Sequence, residues 1–145
     1  MQTPIVVALV ALGLASANAA SAYHFNPPDA SVHLHGKMTF TPNEGGRPFS
    51  CAVALDLKTK RSRITTITFP HKHCGDVYFN DLPWGVAITG ANSGEILMDG
   101  FTSHLGTCVQ YRTLFQVDGS GVWTLAAGQC FSGTLISTPP TTIVQ

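Results

Sequence analysis

Residues Ser31–Phe40 alternate, with Val32, Leu34, Met38 and Phe40 in one phase and His33, His35, Lys37 and Thr39 in the other. A two-residue period sends the two sets to opposite faces, as in a half-buried strand. Residues 42–48, bounded by prolines and containing Gly45 and Gly46, read as a turn. A second alternating run follows, with Cys51, Val53, Leu55 and Leu57 facing one way and Asp56 and Lys58 the other. The charged stretch 58–63 then forms a solvated connection. Residues 64–69 are rich in Ile and Thr, whose branched side chains suit a strand better than a helix, and Pro70 stops the run. Shorter strands are predicted over 77–79, 86–89 and 96–98. A longer alternating series runs through Val109, Tyr111, Thr113, Phe115 and Val117. Asp118-Gly119 supplies a hairpin turn, and the chain returns over 122–125. A last strand covers 131–137, and residues 138–145, with Pro139-Pro140, read as a short flexible tail.

Eight or nine short strands and no helical period after the first twenty residues predict an all-β fold. An antiparallel β-sandwich, Ig-like or jelly-roll-like, is the expected architecture, because each apolar sheet face must be covered. At 145 residues the chain is the size of one domain, and 44% hydrophobic against 11% charged residues is enough to build a core. Eight basic and eight acidic side chains give zero formal net charge, so no field attracts a phosphate backbone over the whole molecule. Nucleic acid is therefore excluded as a partner.

The apolar stretch 5–14, followed by small residues that include Ala17-Asn18-Ala19, has the form of a secretory signal peptide cleaved after Ala19. It is too short to cross a bilayer, so residues 1–19 are assigned to the signal and 20–145 to a single secreted domain with no transmembrane segment. Downstream lie Cys51, Cys74, Cys108 and Cys130. An even number of cysteines in an oxidising compartment predicts two disulfides. Three pairings are possible. Cys51 with Cys74 and Cys108 with Cys130 is favoured, since each then closes a loop of about two strands and a turn.

Candidate chemistry is sparse. His33 and His35 share one strand face, and His71 and His73 form a second close pair. No carboxylate or cysteine at ligand spacing completes either, so neither a metal nor a cofactor is expected. Ser103-His104 and Ser132-Gly133 stand without a G-x-S-x-G elbow, and no pair of acidic residues suggests a glycosidase. No catalytic residue is assigned. Trp84 and Trp123 could cover an apolar ligand or fill a core, and core packing is the stronger reading.

Cys51 opening a strand, Cys74, the Leu82-Pro83-Trp84 turn before Val86, Gly106-Thr107-Cys108, and the run from Gly128 through Gln129, Cys130, Phe131, Ser132, Gly133 and Thr134 to Leu135 form an ordered set. This set resembles the PraB-type exported proteins, the protein activators of alkane oxidation. The resemblance implies a small secreted bacterial protein associated with growth on long-chain alkanes, helping insoluble hydrocarbon reach the cell, with no catalytic residues to carry over. The histidines and the basic stretch 58–63 depart from that family's pattern. The expected function is a secreted, non-catalytic accessory protein acting at hydrophobic surfaces or hydrocarbon–water interfaces, with a hydrophobic substrate or the cell surface as partner. The rival expectation is self-association, strand to strand, into a surface fibre or matrix. Residues 64–69 would be its exposed edge.

Overall fold

The computed structural model describes residues 22–71, 74 and 76–145. The expected signal peptide and His73 lie outside the described residues. β1 (His24–Asn26) precedes the long pair β2 (Ser31–Phe40) and β3 (Phe49–Lys58). β4 (Arg63–Thr68), β5 (Tyr78–Phe79), β6 (Trp84–Ile88) and β7 (Ser93–Leu97) follow, then β8 (Phe101–Ser103) and β9 (Gly106–Cys108). β10 (Arg112–Val117), β11 (Val122–Leu125), β12 (Phe131–Thr138) and β13 (Thr142–Val144) complete an all-β chain of thirteen strands among the described residues.

The expected sandwich is corrected to a closed barrel. Its eight strands run β10-β11-β12-β2-β3-β4-β6-β7, and β7 pairs back onto β10. The alternating pattern dictates which side chains turn inward, but a second sheet or the same sheet curled round can cover them equally well. Closure here comes from two long antiparallel seams. β12 pairs with β2 from Phe131↔Phe40 to Thr138↔His33, and β7 pairs with β10 from Leu97↔Arg112 to Ser93↔Gln116. Gly36 sits on the first seam, where an added Cβ would stand 2.1 Å from the Thr134 carbonyl oxygen, so only glycine admits that approach.

Four strands escaped the sequence reading. β1, β8, β9 and β13 are three residues each, too short to display a period. β13 lies in the segment read as a tail and pairs with β1, from His24↔Val144 to Asn26↔Thr142. Val109 and Tyr111, placed by alternation in one series with Thr113, Phe115 and Val117, are exposed, unlike those three, because β10 begins only at Arg112.

An eight-stranded barrel has an interior about as wide as the side chains that fill it. Val32, Leu34, Met38, Leu57, Ile64 and Leu135 occupy that interior with no solvent exposure. At one end the insertions carrying β5 and β8–β9 pair into a three-stranded cap. There the Phe40 ring lies 5.0 Å from Phe131, 5.1 Å from Phe49, 5.3 Å from Phe101, 5.9 Å from Phe69 and 6.1 Å from Phe79. Toward the other end Phe25 of β1 stacks on Trp123 at 5.6 Å, and Trp123 stacks on Phe115 at 4.5 Å. Both tryptophans are core residues. Trp84 Nε1 donates to the Asn80 carbonyl and Trp123 Nε1 to the Thr141 carbonyl, so neither buried indole N–H lacks a partner.

Two disulfides fasten the cap. Cys51–Cys74 ties β3 to the segment leading into β5, and Cys108–Cys130 ties β9 to the residue before β12. The favoured pairing is the one that forms.

Candidate functional site

With the barrel filled, the outer face is where a ligand or surface can be met. Five strands lay one outward row across it: Lys58 of β3 is opposite Arg63 of β4, Arg63 opposite Gly85 of β6, Gly85 opposite Leu97 of β7, and Leu97 opposite Arg112 of β10. The neighbouring row sets Ala87 opposite Glu95 and Glu95 opposite Leu114. Leu97 and Leu114 are therefore diagonal neighbours on one face, 44% and 52% exposed. The crossing diagonal is an ion pair between exposed Arg112 and half-buried Glu95, Nη1 to Oε1 at 3.9 Å, a separation at which the contact contributes little to stability.

Val109 and Tyr111, just ahead of β10, are also exposed. Four of the seven large apolar side chains exposed among the described residues thus belong to β7 and to β10 with its lead-in. A depression of about 490 Å³ is lined by Leu114 together with Gly94, Phe115 and Ala126. Gln129, in the motif around Cys130, holds this edge in place. Its side-chain carbonyl accepts from the Leu114 N–H at 2.6 Å, and its amide donates to the Leu114 carbonyl at 3.1 Å, acting as one more rung of the sheet. The motif that looked like a spacing signature is in part a clamp on an exposed leucine.

The residues singled out for chemistry fall elsewhere. His33 and His35 do share the outer face of β2. His33 Nδ1 lies 2.5 Å from Oδ1 of Asp56, its in-register partner on β3. The Asp56 carboxyl is held below its ordinary range, first by a 2.6 Å hydrogen bond from the Thr66 hydroxyl, which outweighs the opposing effect of burial, and then by His33 and the nearby Lys58 charge. Ser103 and His104 do not combine. The Ser103 hydroxyl donates to the Gly106 carbonyl and accepts from the Leu105 N–H, while His104 Nδ1 faces Asp76 at 3.3 Å. No group of three or more His, Cys, Asp or Glu is placed to hold a metal ion among the described residues.

One carboxylate pair was missed. Asp99 shares a hydrogen bond with Asp81, which raises the Asp99 carboxyl above its usual range. The two lie on separate loops and carry no local signature. Asp118 sits at the hairpin turn predicted for it. Its carboxylate accepts the Val122 N–H, the Ser120 hydroxyl and the Ser120 N–H, which holds the carboxyl below its ordinary range.

No helix among the described residues is long and apolar enough to cross a membrane. A family model described as alkane oxidation protein activator, PraA/PraB-like, matches residues 1–145, and the chain belongs to that family. No curated protein and no solved structure matches it.

Proposed function

We propose that this member of the PraA/PraB-like family is an exported, non-catalytic accessory protein that works at hydrocarbon–water interfaces through the outside of its barrel. The family's description as an activator of alkane oxidation supports an accessory role. Two disulfides suit an oxidising compartment beyond the cytoplasm. The observation that carries the reading is the pairing of a filled interior with the Leu97–Leu114 diagonal outside it. A long alkane finds no room among Leu34, Met38, Leu57 and Leu135, whereas the exposed leucines can shed water against an oil surface without disturbing the core.

The test is adsorption of purified protein to a hexadecane–water interface, followed by interfacial tension. Wild-type protein lowers the tension, and the double variant Leu97→Ser, Leu114→Ser requires roughly tenfold or more protein for the same effect, given about 25 cal/mol per Å² of apolar area shielded. A wild-type curve matching that of an unrelated secreted β-protein removes the proposal.

A second reading, strand-to-strand assembly into a fibre, has one observation in its favour. β4 pairs with β3 on either side of a bulge at Thr65 but with β6 only at Arg63 and Ile64, so residues 66–68 have a strand partner on one side alone. Part of the expected edge is therefore enclosed in the barrel and part is open. Sizing that finds monomer alone over a wide concentration range excludes this reading.

A further inference from the structure

The 58–63 connection carries Lys58, Lys60, Arg61 and Arg63, half of the eight Lys and Arg residues in the chain. All four line one concave groove of about 410 Å³, and Asp29 is the only acidic residue on its wall. None of the four forms an ion pair within 4.0 Å among the described residues. A solvated hairpin could hold such charges loosely, but this one is pinned on both sides. Thr59, 5% exposed, donates its N–H to the Ala30 carbonyl at 3.0 Å, and its hydroxyl accepts the Ala30 N–H at 2.9 Å. Across the turn, Val86 N–H donates to the Ser62 carbonyl at 2.8 Å. Lys58 Nζ is steadied by a 2.6 Å hydrogen bond to the Ser31 hydroxyl.

Four cations held together with no direct ion pair, and with only the Asp29 carboxylate on the wall and Asp56 near Lys58 to offset them, repel one another, and that repulsion is relieved when an anion enters between them. Two guanidinium groups offer paired N–H donors that match the oxygens of a phosphate. The surroundings narrow the source of such an anion. Arg63 is opposite Gly85, and Gly85 is opposite Leu97, so the cation and the exposed leucine stand two strand spacings apart, about 10 Å, with no side chain between them.

We infer that this groove is a binding site for a phosphate-bearing anion, of which the headgroup of an anionic amphiphile fits best because its apolar part can lie toward Leu97. The inference stands on the groove's charge and geometry and does not depend on adsorption to oil.

The test uses two probes with the full exported chain: inorganic pyrophosphate, followed by amide NMR shifts, and sedimentation with vesicles of phosphatidylcholine containing one quarter phosphatidylglycerol. At low salt, where screening is weak, wild-type protein sediments with the anionic vesicles and not with pure phosphatidylcholine. The variant Lys60→Gln, Arg61→Gln, Arg63→Gln weakens that binding about a hundredfold, whereas Lys37→Gln on the outer face of β2 leaves it unchanged. Pyrophosphate shifts at Arg61 and Ser62 with no vesicle binding would make a free phosphate compound the ligand. Vesicle binding with no pyrophosphate shifts would make it the lipid headgroup. Leu97→Ser keeps the pyrophosphate shifts even where oil adsorption is lost, which separates failure of this site from failure of the interface reading. Groove amides unmoved by pyrophosphate together with no sedimentation with anionic vesicles, or a triple variant that binds like wild type, overturns the inference.

Discussion

Phe40→Ala is expected to destabilise the protein by about 3 to 5 kcal/mol, the range for truncating a buried phenylalanine. Phe40 has no solvent exposure and touches five other phenylalanine rings, drawn from β3, β5, β8, β12 and the segment after β4. Its ring is the point at which barrel and cap share a core. Removing it leaves a cavity bounded by strands that are fixed by closure and cannot collapse inward, which places the cost toward the upper part of the range. With total stabilities of about 5 to 15 kcal/mol typical of such domains, much of the margin would be gone. Urea denaturation should show the midpoint falling sharply, with Phe40→Leu intermediate. Tyr111→Ala, at a position 69% exposed, should shift the midpoint little. A loss under about 1 kcal/mol at Phe40 would mean that the cap is not packed on the barrel through this ring.

The second large effect is expected from Cys108→Ser with Cys130→Ser. The sequence separation is 22, and closing a loop of that length restricts the unfolded chain by about 3 kcal/mol. The melting temperature should fall by on the order of 10 °C. The location of the bridge adds a second signature. β9 belongs to the cap and Cys130 directly precedes β12 of the barrel, so opening the bridge frees one side of the cap first. Limited proteolysis should then cut near residues 100–110 while the barrel strands remain protected. The Cys130 N–H also donates to the Gln110 side-chain oxygen at 2.7 Å, a contact that survives the substitution and is too weak to replace the bridge. A melting temperature lowered by less than about 3 °C would contradict this account of the bridge.

The sequence disclosed the barrel staves more fully than the barrel. Val32, Leu34, Met38 and Phe40 all turn inward and His33, His35 and Lys37 outward, because a strand of ten residues repeats its period often enough to read. The cysteine pairing was legible for a similar local reason: each bridge spans a neighbouring insertion and not the whole chain. Closure was not legible. It depends on β7 meeting β10 across the β8–β9 insertion and on β12 meeting β2 from opposite ends of the chain, pairings whose residues look the same in a sandwich.

The exposed apolar face did leave a trace. Leu114 falls between Thr113 and Phe115, Leu97 between Ile96 and Met98, and Ile136 next to Leu135, each out of phase with its inward-facing neighbours. One such residue is ordinary on a protein surface; two brought side by side, as Leu97 and Leu114 are, make a patch. The Lys58–Arg63 charges were read as solvated, and nothing local announces that Thr59 pins them to Ala30, far earlier in the chain.

The central claim is that hydrocarbon meets this protein on the outside of a barrel whose interior is already full. Methyl-resolved NMR of the folded protein titrated with dodecane-loaded detergent micelles, against empty micelles, tests it directly. The account predicts hydrocarbon-dependent shifts at the Leu97 and Leu114 methyls and none at Leu34, Leu55 or Leu135. Shifts at the inward methyls with Leu97 and Leu114 unmoved would contradict it, showing that the barrel opens to take the ligand inside.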